Sequence, residues 1–128
     1  MKKKKSSSTP FAQAKILAAQ AVRNSKQLDG ILRQALQKAK KLPHDKGKWD
    51  NLFLMIRLVQ AHQKRRYRSI SKSNLHLILS AIVYFVSPDD WIPDDLPFGL
   101  LDDAIVIQSV AAAVEDDLQT FFLWEKKT

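Results

Sequence analysis

Three adjacent pairs of aspartates, Asp89-Asp90, Asp94-Asp95 and Asp102-Asp103, crowd one short stretch of this chain. Carboxylate oxygens are the ligands that hard divalent cations select, so Asp90, Asp94, Asp102 and Asp103 are candidate ligands for Mg²⁺, Mn²⁺ or Ca²⁺. The spacing does not follow a calcium-loop pattern, and neighbouring side chains on a helix diverge by about 100°. Paired carboxylates also suit general acid–base work. Nothing accompanies them in that role. Ser87 has no Gly-x-Ser-x-Gly context, and Gly30, Gly47 and Gly99 are too scattered to cradle a phosphate. His44, His62 and His76 stand at unrelated spacings and read as surface or packing residues. The chain therefore reads as non-catalytic. No cofactor is expected, a divalent cation on the aspartates being the alternative.

A second set of residues points to anions. Lys64, Arg65, Arg66, Arg68 and Lys72 fall within nine positions, with Tyr67 among them. Cations at the end of a helix complement its dipole. The same cluster suits contacts to phosphate groups of an anionic membrane surface, with Tyr67 at the interface. The wider charge pattern is lopsided. Residues 1–88 carry 19 basic against 3 acidic residues, a balance of +16, and residues 89–128 carry 2 against 10, a balance of −8. The two parts neutralise one another in the fold, or the basic part meets an outside anion. Nucleic acid is the less favoured partner because no helix-turn-helix or other reading motif accompanies the charge.

The elements that must position these groups are helices. Pro10 suits a first helical turn, and Phe11, Ala14, Ala18, Ala21, Leu28, Leu32, Ala35 and Ala39 recur at three/four spacing. Asn24 or Ser25 is a natural N-cap, which predicts two helices, about 10–23 and 25–41. Trp49, Leu52, Phe53, Ile56 and Val59 give a third, about 48–65. Ser71 or Ser73 caps a fourth, about 72–86, which has almost no polar face. Such a helix is central in a core or lies in a membrane, and its length is short of the roughly 20 residues a span requires. Pro88, Pro93 and Pro97 stiffen the connection that follows. A last helix is expected from Leu100, with Leu100, Ala104, Ile107, Ala111, Val114, Leu118 and Phe121 as its inner stripe. Asp102 and Asp103 would then sit in its first turn and bind free backbone N–H groups.

These readings give an all-α domain of about five helices, a small bundle with a C-terminal helical hairpin around the Asp/Pro-rich loop. Residues 1–9 read as a disordered basic tail, since the segment after the lysines has no continuous apolar run for a signal peptide. Residues 10–128 read as a single helical domain. The absence of cysteine removes disulfide and thiolate chemistry and fits a reducing cytoplasm. The expected location is cytoplasmic, with association at the inner membrane.

The ordered set Tyr84, Ser87, Pro88, Asp90, Ile92, Pro93, Asp94, Pro97, Gly99, Leu101, Asp102, Asp103 and Ala104 resembles the motif of the YkvA-like family, a small bacterial domain of unknown function. The resemblance extends over about 49–125, through the segment Met55 to Arg68 and the closing Trp124-Glu125. It bears on the fold more than on the function, since the family supplies no established reaction. In this chain Asp89 and Asp95 stand where the family has apolar residues, and Trp91 replaces a leucine. Those changes make the loop more acidic and less suited to dip into lipid.

Overall fold

The computed structural model describes residues 10–42, 47, 49–86 and 97–127, the side chains of residue 10 and of 97–102 excepted. The expected 1–9 tail lies outside them, as do Pro43 to Lys46 and Ser87 to Leu96. Among the described residues the fold is all-helical, with α1 (Pro10–Val22), α2 (Ser25–Lys40), α3 (Asp50–Gln63), α4 (Lys72–Val86), α5 (Pro97–Ala113) and α6 (Glu115–Lys127).

Local chemistry sets the boundaries. Asn24 adopts an extended conformation and its side chain accepts a hydrogen bond from the Gln27 N–H at 3.1 Å, which ends α1 and starts α2. Ser71 Oγ accepts from the Asn74 N–H at 3.1 Å in the same way at the start of α4. Gly47, at φ +75°, turns the chain into α3. An added Cβ there would come within 3.1 Å of the Asp50 carboxylate, so position and space both favour glycine.

α4 is the central helix. It packs against α1, α2, α3 and α5, and Leu75, Ile78, Leu79, Ser80, Ala81, Ile82, Val83 and Phe85 are buried. Each large apolar side chain buried there is worth about 1.5–3 kcal/mol relative to exposure. The one buried hydroxyl of the helix, Ser80 Oγ, donates to the His76 carbonyl at 2.7 Å. The face that α1 turns inward is made of Ala14, Ala18 and Ala21. Side chains this small let two helix axes come close. Phe11 adds an edge-on contact with Tyr84, ring centres 6.2 Å apart.

The C-terminal part differs from expectation in two ways. α5 begins at Pro97, not near Leu100, so Asp103 lies beyond the first turn, where backbone N–H groups are already used within the helix. The expected capping role is therefore corrected for Asp103, and residue 102 is likewise past the first turn. The single long helix expected after the loop is two helices, α5 and α6, divided at Val114. Glu115, Asp116 and Asp117 form the first turn of α6, where negative charge meets the positive end of the helix dipole. α4 and α5 do pack together as a hairpin requires.

Candidate anion-binding groove

The groove originates in the way α3 ends. Arg65 N–H donates to the His62 carbonyl at 3.0 Å and Arg66 N–H to the Ala61 carbonyl at 2.9 Å. This paired pattern closes a helix with one left-handed residue, the place where glycine is usual. Here the residue is Arg65, at φ 61°. The chain then reverses and Tyr67 plunges inward, only 4% exposed. Its ring meets Phe121 edge-on at 5.0 Å and Trp124 at 5.1 Å, and Phe121 and Trp124 stack at 5.5 Å. Tyr67 thus pins the α3–α4 connection onto α6.

That anchor splits the basic cluster. Arg68 and Lys72 face a hollow of about 790 Å³, whose walls also include Ala19, Val22, Arg23, Ile70 and Leu75, together with His62 and His76. A smaller hollow of about 280 Å³ adjoins it through the shared residues Val22, His62, Arg68 and Leu75, and adds Arg65 and Ser25. Lys64 and Arg66 go the other way. With Arg57, Trp124 and Glu125 they line a separate pocket of about 320 Å³ against α6. Arg57 is already engaged there by two bonds to the Glu125 carboxylate, at 2.8 and 3.1 Å.

Among the described residues no acid lines either of the two adjoining hollows. None of Arg23, Arg65, Arg68 and Lys72 pairs with a carboxylate among the described residues. The effect on His62 is direct. Burial, and then the Arg68 charge, hold its imidazole below the ordinary histidine pKa. His76 is fixed by its Nε2, which donates to the Lys15 carbonyl at 2.8 Å and ties α4 to α1. The arrangement sets aliphatic walls beside cations that have no carboxylate partner among the described residues. It offers no nucleophile–base pair within bonding reach, and it suits holding an anion attached to an apolar body.

The acidic candidates are placed differently. Asp103 is 6% exposed and sits 3.7 Å from Lys38 Nζ. Asp90 and Asp94 lie outside the described residues, as do Ser87, Pro88 and Pro93, and the Asp102 side chain is not described. Among the described residues no three His, Asp or Glu side chains gather as a metal-holding group. Pro97 and Gly99 fall in the first turn of α5, and Tyr84 is half-buried against Phe11. No helix among the described residues is long and apolar enough to cross a membrane.

Sequence reasoning missed Arg23, His62 and His76 as groove residues. Arg23 stands beside the Asn24 break, but nothing local relates it to Arg68. Only the packing of α1 on α4 does that.

No curated protein and no solved structure matches the chain. A family model described as "Protein of unknown function (DUF1232)" matches residues 75–108, which take in most of α4, the Asp/Pro-rich connection and the first part of α5, and to that uncharacterised domain family the chain is similar.

Proposed function

We propose that this chain is a YkvA-like, non-catalytic interaction domain that docks on the anionic face of the inner membrane from the cytoplasm. Arg23, Arg65, Arg68 and Lys72 make the phosphate contacts at the groove, and Lys64 and Arg66 add charge from the separate pocket against α6. The observation that carries the reading is that the groove cations, set beside aliphatic walls, pair with no carboxylate among the described residues. Unneutralised charges at a surface gain from an anionic partner, by about 1 kcal/mol for each Lys or Arg near anionic lipid. Among the described residues the groove is lined by aliphatic residues beside its cations and holds no Phe, Tyr or Trp ring on which a nucleobase would stack, its aromatic rings being the imidazoles of His62 and His76. That favours lipid over nucleic acid. Val22, 50% exposed, and Ile16, 57% exposed, extend apolar surface along α1.

Flotation with vesicles of mixed phosphatidylglycerol and phosphatidylcholine tests the reading. Binding is expected to rise with the anionic fraction and to fall steeply between low and physiological salt. The triple substitution Arg65→Gln, Arg68→Gln, Lys72→Gln should weaken it at least tenfold. Absence of any salt-sensitive association at low ionic strength would remove the proposal.

A further inference from the structure

We propose that the groove does more than touch a membrane surface: it takes up one phosphate-headed amphiphile, with the phosphate at the groove cations and a single acyl chain along the aliphatic walls. This deepens the membrane-docking reading and rests on it.

Three features separate a built groove from a basic patch. The first is size. A hollow of about 790 Å³ falls within the range that encloses small-molecule ligands, roughly 300–1,000 Å³, whereas a flat surface that meets headgroups needs no hollow. The second is the polarity gradient. Ala19, Val22, Ile70 and Leu75 supply aliphatic walls, and Arg23, Arg68 and Lys72 stand along the same hollow. A free phosphate would leave the aliphatic part unused, and an uncharged hydrocarbon would leave the cations unused. The third is continuity. The smaller hollow shares Val22, His62, Arg68 and Leu75 with the larger one and brings Arg65 to the same ligand. Arg68 lies on both, so the head is placed beside Arg68, with the chain running along Val22 and Leu75. Arg65 strengthens the case because it occupies a left-handed backbone position that glycine fills at lower cost. A side chain kept there against that preference is consistent with use of its guanidinium.

The ligand chemistry comes from two sources, a lipid drawn partly out of a bilayer or a free lysolipid, and the experiment separates them. The probe is a short-chain lysophosphatidic acid below its micellar concentration, titrated calorimetrically into the full chain. The controls are the phosphocholine lysolipid of the same chain length and glycerol 3-phosphate. One molecule is expected per protein, with at least tenfold weaker binding of each control, since one lacks net charge and the other lacks the chain. Val22→Trp fills the groove from an exposed position. It should cut binding of the monomeric lysolipid at least tenfold, while flotation keeps its dependence on the anionic fraction and on salt. Ala19→Trp, also exposed and on the same wall, serves if the first variant melts early. If the wild type floats with anionic vesicles but binds no monomeric lysolipid, or if both tryptophan variants bind it normally, the groove proposal is overturned and surface docking stands. If neither vesicles nor lysolipid bind, both fall.

Discussion

Lys38 Nζ donates to the carbonyl oxygen of Phe85 at 2.6 Å. Lys38 belongs to α2 and Phe85 to the last turn of α4, so a side chain from one helix satisfies a carbonyl that the other leaves free at its end. The same ammonium lies 3.7 Å from the buried Asp103 carboxylate of α5 and 4.8 Å from the Phe85 ring centre. One cation therefore ties together α2, α4 and α5 at the mouth of the hairpin. It gives Asp103 a role that neither metal binding nor capping had assigned to it.

Lys38→Met should consequently destabilise the fold by about 2–4 kcal/mol, because a nearly buried carboxylate loses a cationic partner and the α4 terminus loses a donor. Chemical denaturation measures it. Adding Asp103→Leu to Lys38→Met should recover part of the loss, since the buried charge is then gone. A single variant as stable as the wild type would show that the bridge contributes nothing.

Arg65→Gly separates stability from binding. The left-handed position favours glycine, so the variant should gain up to about 1 kcal/mol. It should at the same time bind anionic vesicles more weakly than the wild type, because one groove cation is lost. Thermal melts and flotation of the same preparation read both quantities. A loss of stability would argue that the Arg65 side chain packs structurally.

The sequence announces some of these features and hides others for definite reasons. α4 is legible because its run of aliphatic residues leaves no polar face. Asn24 is legible because its side chain has a capping chemistry that helix interiors do not use. The break at Val114 is hidden because Ala104, Ile107, Ala111, Val114, Leu118 and Phe121 keep their helical spacing straight through it. The clue was Glu115-Asp116-Asp117, a cluster of acids that marks a helix start better than a helix interior. The groove was half legible. The basic cluster was plain, but its division by Tyr67 depends on where α6 packs, and Arg23 joins it only through tertiary contact. The Asp103–Lys38 pair belongs to the same class, since 65 positions separate its members.

Tyr67 yields a prediction about the anchor itself. Its hydroxyl is buried with no hydrogen-bond partner among the described residues. Burial, with the Asp117 charge, pushes its pKa above the ordinary tyrosine value. A desolvated, unpaired hydroxyl costs free energy, so Tyr67→Phe should leave stability unchanged or raise it by about 0.5–1 kcal/mol. Tyr67→Ala empties the Phe121–Trp124 cluster and should cost about 3–5 kcal/mol. A Phe variant that is clearly less stable would mean that the hydroxyl is engaged in solution.

The pH behaviour of the groove follows from His62. The groups around it are Arg68 and Arg65 on the connection, Arg23 at the α1–α2 corner, Lys72 and His76 on α4, and Asp29 of α2, which accepts a 2.8 Å bond from the neighbouring Gln63. Its folded pKa lies below the ordinary value of 6.5. Below 6.5 the unfolded chain therefore binds the proton more readily than the folded one. The stability linked to His62 is complete above 6.5 and is lost as pH falls through the lower folded value. The melting temperature should decline below about pH 6.5, and less steeply in His62→Gln. Anion binding runs in the opposite sense. A bound phosphodiester favours the imidazolium, so vesicles of phosphatidylglycerol, whose own charge is constant over this range, should bind more tightly as pH falls from 7.5 to 5.5. His62→Gln should flatten that trend while leaving binding at pH 7.5 within about twofold of the wild type, since His62 is neutral there. An unaltered pH slope in the variant would place the titrating group elsewhere and sink the assignment to His62.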